Sequence, residues 1–196
     1  IRGVTAKNYN GDGISWQICH DVLVENCVSA NHTGLGLHPG SGSQRPVMRN
    51  NRLTGNSIGL FFCWGVRHGL AEGNRIEGND TGISIGHHDT HNLVTGNTVS
   101  DSKQHGVLFR PERDADFTGN RNRIEKNSLV NNGAEDGAAI DVQGGTKDLV
   151  IAGNEITENR GAARRVAIRL GAQTGNIQTQ GNTIRGFAKE EERGGK

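Results

Sequence analysis

The stretch Thr81-Gly82-Ile83-Ser84-Ile85-Gly86, lying between Glu72-Gly73-Asn74 and Thr95-Gly96-Asn97, decides the fold. Its apolar residues alternate with a small polar one, the period-two signature of a short strand with one face turned inward. The same phrase returns as Gly13-Ile14-Ser15-Trp16, Gly34-Leu35-Gly36-Leu37, Gly59-Leu60-Phe61-Phe62 and Gly106-Val107-Leu108-Phe109. Later copies read Gly137-Ala138-Ala139-Ile140 and Arg165-Val166-Ala167-Ile168. The Asn phrase returns as well, at Asn26, Asn51, Asn74, Asn97, Asn127, Asn154 and Asn182, in steps of 25, 23, 23, 30, 27 and 28 residues. A second Asn often follows five later, as at Asn31, Asn56, Asn79, Asn132 and Asn159.

A repeat of this length, holding two or three short strands and no helical stripe, cannot bury its apolar row alone. Stacked copies can, and strands ~4.8 Å apart turn like residues into ladders. Asn suits a ladder at a corner, because it tolerates left-handed backbone and its amide can pair with the Asn above and below. Propeller blades need longer repeats and leucine-rich repeats a Leu consensus, so both are excluded. The reading is all-β, a right-handed parallel β-helix solenoid of about eight coils.

Composition agrees. Among 196 residues, 30 are Gly and only 32% are apolar, a mix suited to many short strands and tight turns. Lys plus Arg number 22 against 21 acids, so the net charge gives no field that would recruit nucleic acid or a membrane, and no apolar run is long enough to span a bilayer. Cys19, Cys27 and Cys63 are an odd set without a Cys-x-x-Cys pair, which favours small buried fillers over disulfides or zinc. Residues 1–187 read as a single parallel β-helix domain. Its first residues already look like the middle of a repeat, as in a piece of a longer chain. Residues 188–196 read as a charged tail.

Gly82-Ile83-Ser84-Ile85-Gly86 and Val24-Glu25-Asn26-Cys27, at this period, resemble the pectin-lyase-like superfamily of right-handed parallel β-helices. The resemblance covers roughly residues 1–187 and implies a polysaccharide or oligosaccharide partner bound across an outward strand face, with secretion or a periplasmic location. Within that superfamily Asn10-Gly11-Asp12-Gly13 resembles the first catalytic phrase of polygalacturonases, and Gly86-His87-His88 loosely resembles a later one. The phrase with paired Asp falls at Thr33-Gly34-Leu35-Gly36, which has no carboxylate, so the two-carboxylate inverting mechanism is incomplete.

Aligning the alternating phrases places Gln17 beside His38 and brings Asp12, His38, His87 and Arg110 into adjacent columns, with aromatic plates at Phe61 and Trp64. Aromatic plates flanked by Asp, His and Arg suit a sugar ring, whose C–H faces stack and whose hydroxyls and carboxylates need polar partners. Asp12, His38, His87 and Arg110 are therefore the expected catalytic set. Gln17, Phe61, Trp64, His88, Asp89 and Glu112 are the expected substrate contacts, with Arg113 in the same loop. The run His87-His88-Asp89-Thr90-His91 invites a metal, but it lacks the helical His-x-x-x-His spacing and a second ligand cluster. No cofactor is expected, and a divalent metal is the minority reading. The same alignment stacks Arg110, Asp141 and Arg169 as a plus, minus, plus salt ladder. Two functions fit: a lyase or glycosidase acting on a polysaccharide, or a non-catalytic carbohydrate-binding or structural module of the tailspike kind.

Overall fold

A computed structural model describes residues 1–112 and 114–194. Arg113 and the last two residues of the charged segment lie outside the described residues. Short strands coil into three parallel sheets of eight, eight and seven strands, and each strand pairs with its counterpart one coil on. The site sheet runs through Ile14–Gln17, Leu35–Gly40, Ile58–Phe61, Thr81–Ile85, His105–Phe109, Ala138–Val142, Val166–Leu170 and Lys189–Arg193, one strand per coil. These strands define coils one to eight. Beyond strand there is one short 3₁₀ turn, Ala115–Phe117, among the described residues, and no helix there is long and apolar enough to cross a membrane.

The core is a set of columns. The site sheet sends in Ile14, Leu37, Leu60, Ile83, Val107, Ile140 and Ile168, each in register with the next. The three-residue strands of the other two sheets mostly bury their middle residue, as Val94 and Val99 do in coil four. The residue before the first fully inward position also faces inward, as Gly13, Gly36, Gly59, Gly82 and Gly106 in coils one to five and as Ala139 and Ala167 in coils six and seven. A Cβ on Gly59 would lie 2.6 Å from Ile76 Cγ2 and 2.7 Å from Gly82 O, so the corner has no room for a side chain.

The Asn ladder stands at the corner between two sheets. Asn74 Oδ1 accepts from Asn51 N at 2.9 Å and from Asn51 Nδ2 at 3.0 Å, while Asn74 Nδ2 donates to Met48 O and to Asn97 Oδ1, both at 2.9 Å. The pattern repeats through Asn97, Asn127, Asn154 and Asn182. Asn26 is not in it. Asn26 holds the left-handed position (φ 54°), and the neighbouring Cys27 occupies the ladder site, donating its N–H to Asn51 Oδ1 at 3.0 Å.

Three further expectations are corrected by the structure. Cys27 is a buried filler, but Cys19 is exposed and Cys63 half-buried, all three free. Of the charged tail, Lys189–Arg193 is the last strand of the site sheet, because Glu192 pairs with Arg169 and Lys189, and Glu191 with Thr179 and Arg193. The registers of coils two and six are each offset by two: Ser15 pairs with His38 and Gln17 with Gly40, and His105 pairs with Ala138 and Leu108 with Asp141. An offset of two keeps every side chain on its face. It does change the neighbours, so the outward column reads Ser15, His38, Phe61, Ser84, Leu108, Asp141, Arg169, Glu192. Arg110 is outside that column, and the charge ladder is Asp141, Arg169, Glu192.

Candidate active site

The outward column of coils two to four carries His38, Phe61 and Ser84, and the turns at either end of these strands bring up the rest. Asp12 precedes the coil-one strand, where its Oδ1 accepts the Leu35 N–H at 3.2 Å. Its Oδ2 lies 2.8 Å from His38 Nδ1, and His38 Nε2 lies 3.0 Å from Cys63 O. Each ring nitrogen of His38 thus faces an oxygen, and its ring centre lies 5.3 Å from that of Phe61, edge to face.

Arg110, after the coil-five strand, reaches back across the sheet. Its Cζ lies 4.5 Å over the Phe61 ring, Nη1 donates to Ser84 Oγ at 2.8 Å and Nη2 to Phe62 O at 3.0 Å. Asp89 Oδ2 and Glu112 Oε1 sit 3.4 and 3.3 Å from the guanidinium. Glu112 also accepts the His87 N–H at 3.0 Å and meets His87 Nε2 at 3.1 Å, leaving His87 Nδ1 to face the Cys63 thiol at 3.4 Å. Gly86 makes this packing possible, since a Cβ there would lie 2.1 Å from Glu112 Oε1. Trp64 stands beside His87 at 5.4 Å between ring centres and is 53% exposed, an apolar plate open to solvent.

Burial governs the two titrating groups beneath. It pushes the Cys63 thiol up to about 11, so Cys63 stays protonated. It pushes Asp89 up to about 7, although the Val66 and Gly86 N–H groups and Arg110 pull the other way.

The expected residues therefore divide. Asp12, His38, Phe61, Arg110, Glu112, His87 and Trp64 are linked by direct contacts. Asp89 is fully buried beneath Arg110, so it is a support and not a substrate contact. His88 turns away to stack on Phe117 at 4.2 Å, and the Gln17 amide bends back to Ser15 Oγ at 3.4 Å. The residues proposed for a metal disperse: His87 goes to Glu112, His88 to Phe117, Asp89 to backbone amides and His91 to His68. Among the described residues no three His, Cys, Asp or Glu side chains are grouped to hold an ion. Sequence reasoning missed the Cys63–His87 contact and the role of Ser84. Only the register, which pairs Phe61 with Ser84, could have exposed the second.

A profile of the family described as "right handed beta helix region" matches residues 1–135. The chain belongs to the right-handed β-helix family. Among solved structures, this β-helix is similar to a periplasmic alginate epimerase, AlgG, as its T265N mutant (14% identity, TM-score 0.65), covering 94% of this chain and 47% of that one. It is similar also to the DFA-IIIase of Arthrobacter chlorophenolicus A6 without its lid (13%, TM-score 0.68, covering 91% and 45%). The D339N tailspike protein of E. coli bacteriophage HK620, solved with a pentasaccharide, matches at 14% and TM-score 0.59, covering 94% and 42%. The chain thus spans less than half of each of these structures, and at such identities the likeness establishes the β-helix alone. No curated protein matches it.

Proposed function

We propose that this β-helix binds a polysaccharide across the outward face of coils one to five and cleaves or remodels it, as a lyase or glycosidase. One observation carries the reading: a carboxylate-held histidine, Asp12–His38, shares a single face with an arginine–glutamate–histidine group and an exposed tryptophan plate. The face suits a sugar, because Trp64 and Phe61 offer stacking surface while His38, His87 and Arg110 offer polar edges. His38 is placed to give a proton to a leaving glycosidic oxygen, with Asp12 holding the ring. His87, held by Glu112, is the second acid–base candidate, and Arg110 supplies positive charge where a uronate carboxylate would develop enolate character. The structural neighbours, whose names include an alginate epimerase and a tailspike with a pentasaccharide, lend support at the level of fold.

A second reading, binding without turnover, has its own observation. Both His38 nitrogens and all three Arg110 nitrogens already have partners within the protein. A panel of acidic and neutral polysaccharides, assayed in parallel for reducing ends and for the absorbance of unsaturated uronate, separates the two. The enzymatic reading predicts one of these signals, lost in His38→Asn and His87→Asn with binding kept. Retained binding with neither signal favours the module, and a panel without binding or turnover contradicts both.

A further inference from the structure

At the edge of the site sheet, a second ladder runs along the corner where it gives way to the seven-stranded sheet. One residue per coil holds left-handed backbone there, and four in succession are Arg45, His68, His91 and Arg121, with φ of 52°, 56°, 60° and 58°. Backbone bonds hold them in step: Arg45 N donates to Arg67 O at 2.9 Å, His68 N to Thr90 O at 3.3 Å and Arg121 N to Lys147 O at 3.2 Å. Arg67 and Lys147, in the adjoining column, are exposed beside them. The two imidazoles stack at 5.1 Å between centres with 27° between planes. Acids flank these four, Asp21 against Arg45 and Asp148 against Arg121, with Asn176 next along donating to Asp148 Oδ1 at 2.7 Å.

We propose that this corner is a binding ridge for a polyuronate, strengthened by acid and separate from the face that carries His38 and Arg110. Three features point to that ligand. Arg45, His68, His91 and Arg121 step along the ridge at the strand spacing of ~4.8 Å, and a polyuronate likewise sets out its carboxylates one per sugar along a line. The ridge already shows how it holds a carboxylate, since Arg45 Nε and Nη2 grip Asp21 as a fork at 2.7 and 2.8 Å. His91, stacked on His68, supplies the acid dependence. Around the pair stand Arg45 and Arg121 along the ladder and Arg67 and Thr90 beside it, with Thr90 Oγ1 3.1 Å from His91 Nδ1. Burial, then His68, Arg121 and Arg67, hold His91 below the ordinary histidine value. It therefore takes up its charge under acid conditions, and a polyanion laid along the ridge relieves the repulsion that opposes this.

The test measures binding of fluorescein-labelled oligogalacturonate by anisotropy in an Arg110→Gln background, which strips the other face of its cation. From about pH 7.5 to about pH 5.5 the Kd is expected to fall about tenfold as His91 charges against the bound polyanion. His68→Gln/His91→Gln should abolish that gain, and Arg67→Gln/Arg121→Gln should weaken binding at both pH values. His68→Lys/His91→Lys, with fixed charge, should bind near neutrality as the parent does in acid, which keeps the test decisive if the Gln pair folds poorly. A gain that survives His68→Gln/His91→Gln, equal affinity for oligothymidylate, or no binding at either pH would each overturn the proposal. None of these readouts uses turnover, so a silent polysaccharide assay leaves the ridge separately testable.

Discussion

At the scale of single residues, burial decides which groups on the site face can react. Cys63 lies under His87 with its thiol pushed up to about 11, whereas Cys19 is exposed and Cys27 buried. Iodoacetamide near pH 8 should therefore modify Cys19 fast and Cys63 slowly, read by peptide mass spectrometry. Equal rates would mean that the cover over Cys63 is not as described. Asp89 gives a pH signature of known sign. Its carboxyl titrates at about 7 when folded, well above the ~3.9 of an unfolded chain, so the folded state keeps a proton that the unfolded state has lost. The stability this contributes is full below about pH 4 and is lost as pH rises through about 7. The melting temperature of the wild type relative to Asp89→Asn should fall between about pH 5 and about pH 8, and parallel profiles would contradict this assignment. Sequence alone offered Asp89 as a substrate contact in a histidine-rich turn. It is buried, with Arg110 reaching back from the next coil to 3.4 Å from its Oδ2, a contact no local pattern records.

At the scale of strands and turns, the Asn ladder is the device that fixes the stack. Asn74 has ladder partners on both sides, while Asn182 accepts from Asn154 and donates back to Ile151 O. Asn74→Leu should cost roughly 1–3 kcal/mol by leaving buried amides unpaired, and Asn182→Leu less, measured as shifts in urea midpoint. Equal losses would deny the ladder its cooperative role. The ladder was legible in sequence because it depends on one residue type recurring at one backbone position. The coil-two register was not. Leu35 and Leu37 are equally apolar, so alternation is satisfied by either alignment, and only the pairing of Ile14 with Leu37 decides it. That offset is what puts His38 beside Phe61, and with it the centre of the site.

At the scale of the whole molecule, each coil touches only its neighbours, so stability is distributed along the stack as in other solenoids. Middle coils bury the central residue of each short strand, whereas the strands Gln178–Gln180 and Thr183–Arg185 of the last turn leave theirs half-exposed. Amide exchange should be slowest in coils three to six and faster over residues 178–185, and uniform protection would contradict a nearest-neighbour stack. The central functional claim, a glycan lying over coils one to five, is tested most directly by tryptophan emission. Trp64 is 53% exposed and Trp16 only 7%, so a ligand on this face reports through Trp64. The titration uses oligogalacturonate, oligomannuronate and malto-oligosaccharide, with binding followed independently by calorimetry in an Arg67→Gln/Arg121→Gln background that weakens the neighbouring ridge. The account predicts a saturable emission change with at least one of them, abolished in Trp64→Phe. Calorimetric binding that leaves the emission unchanged, or no binding by any of the three, would contradict it.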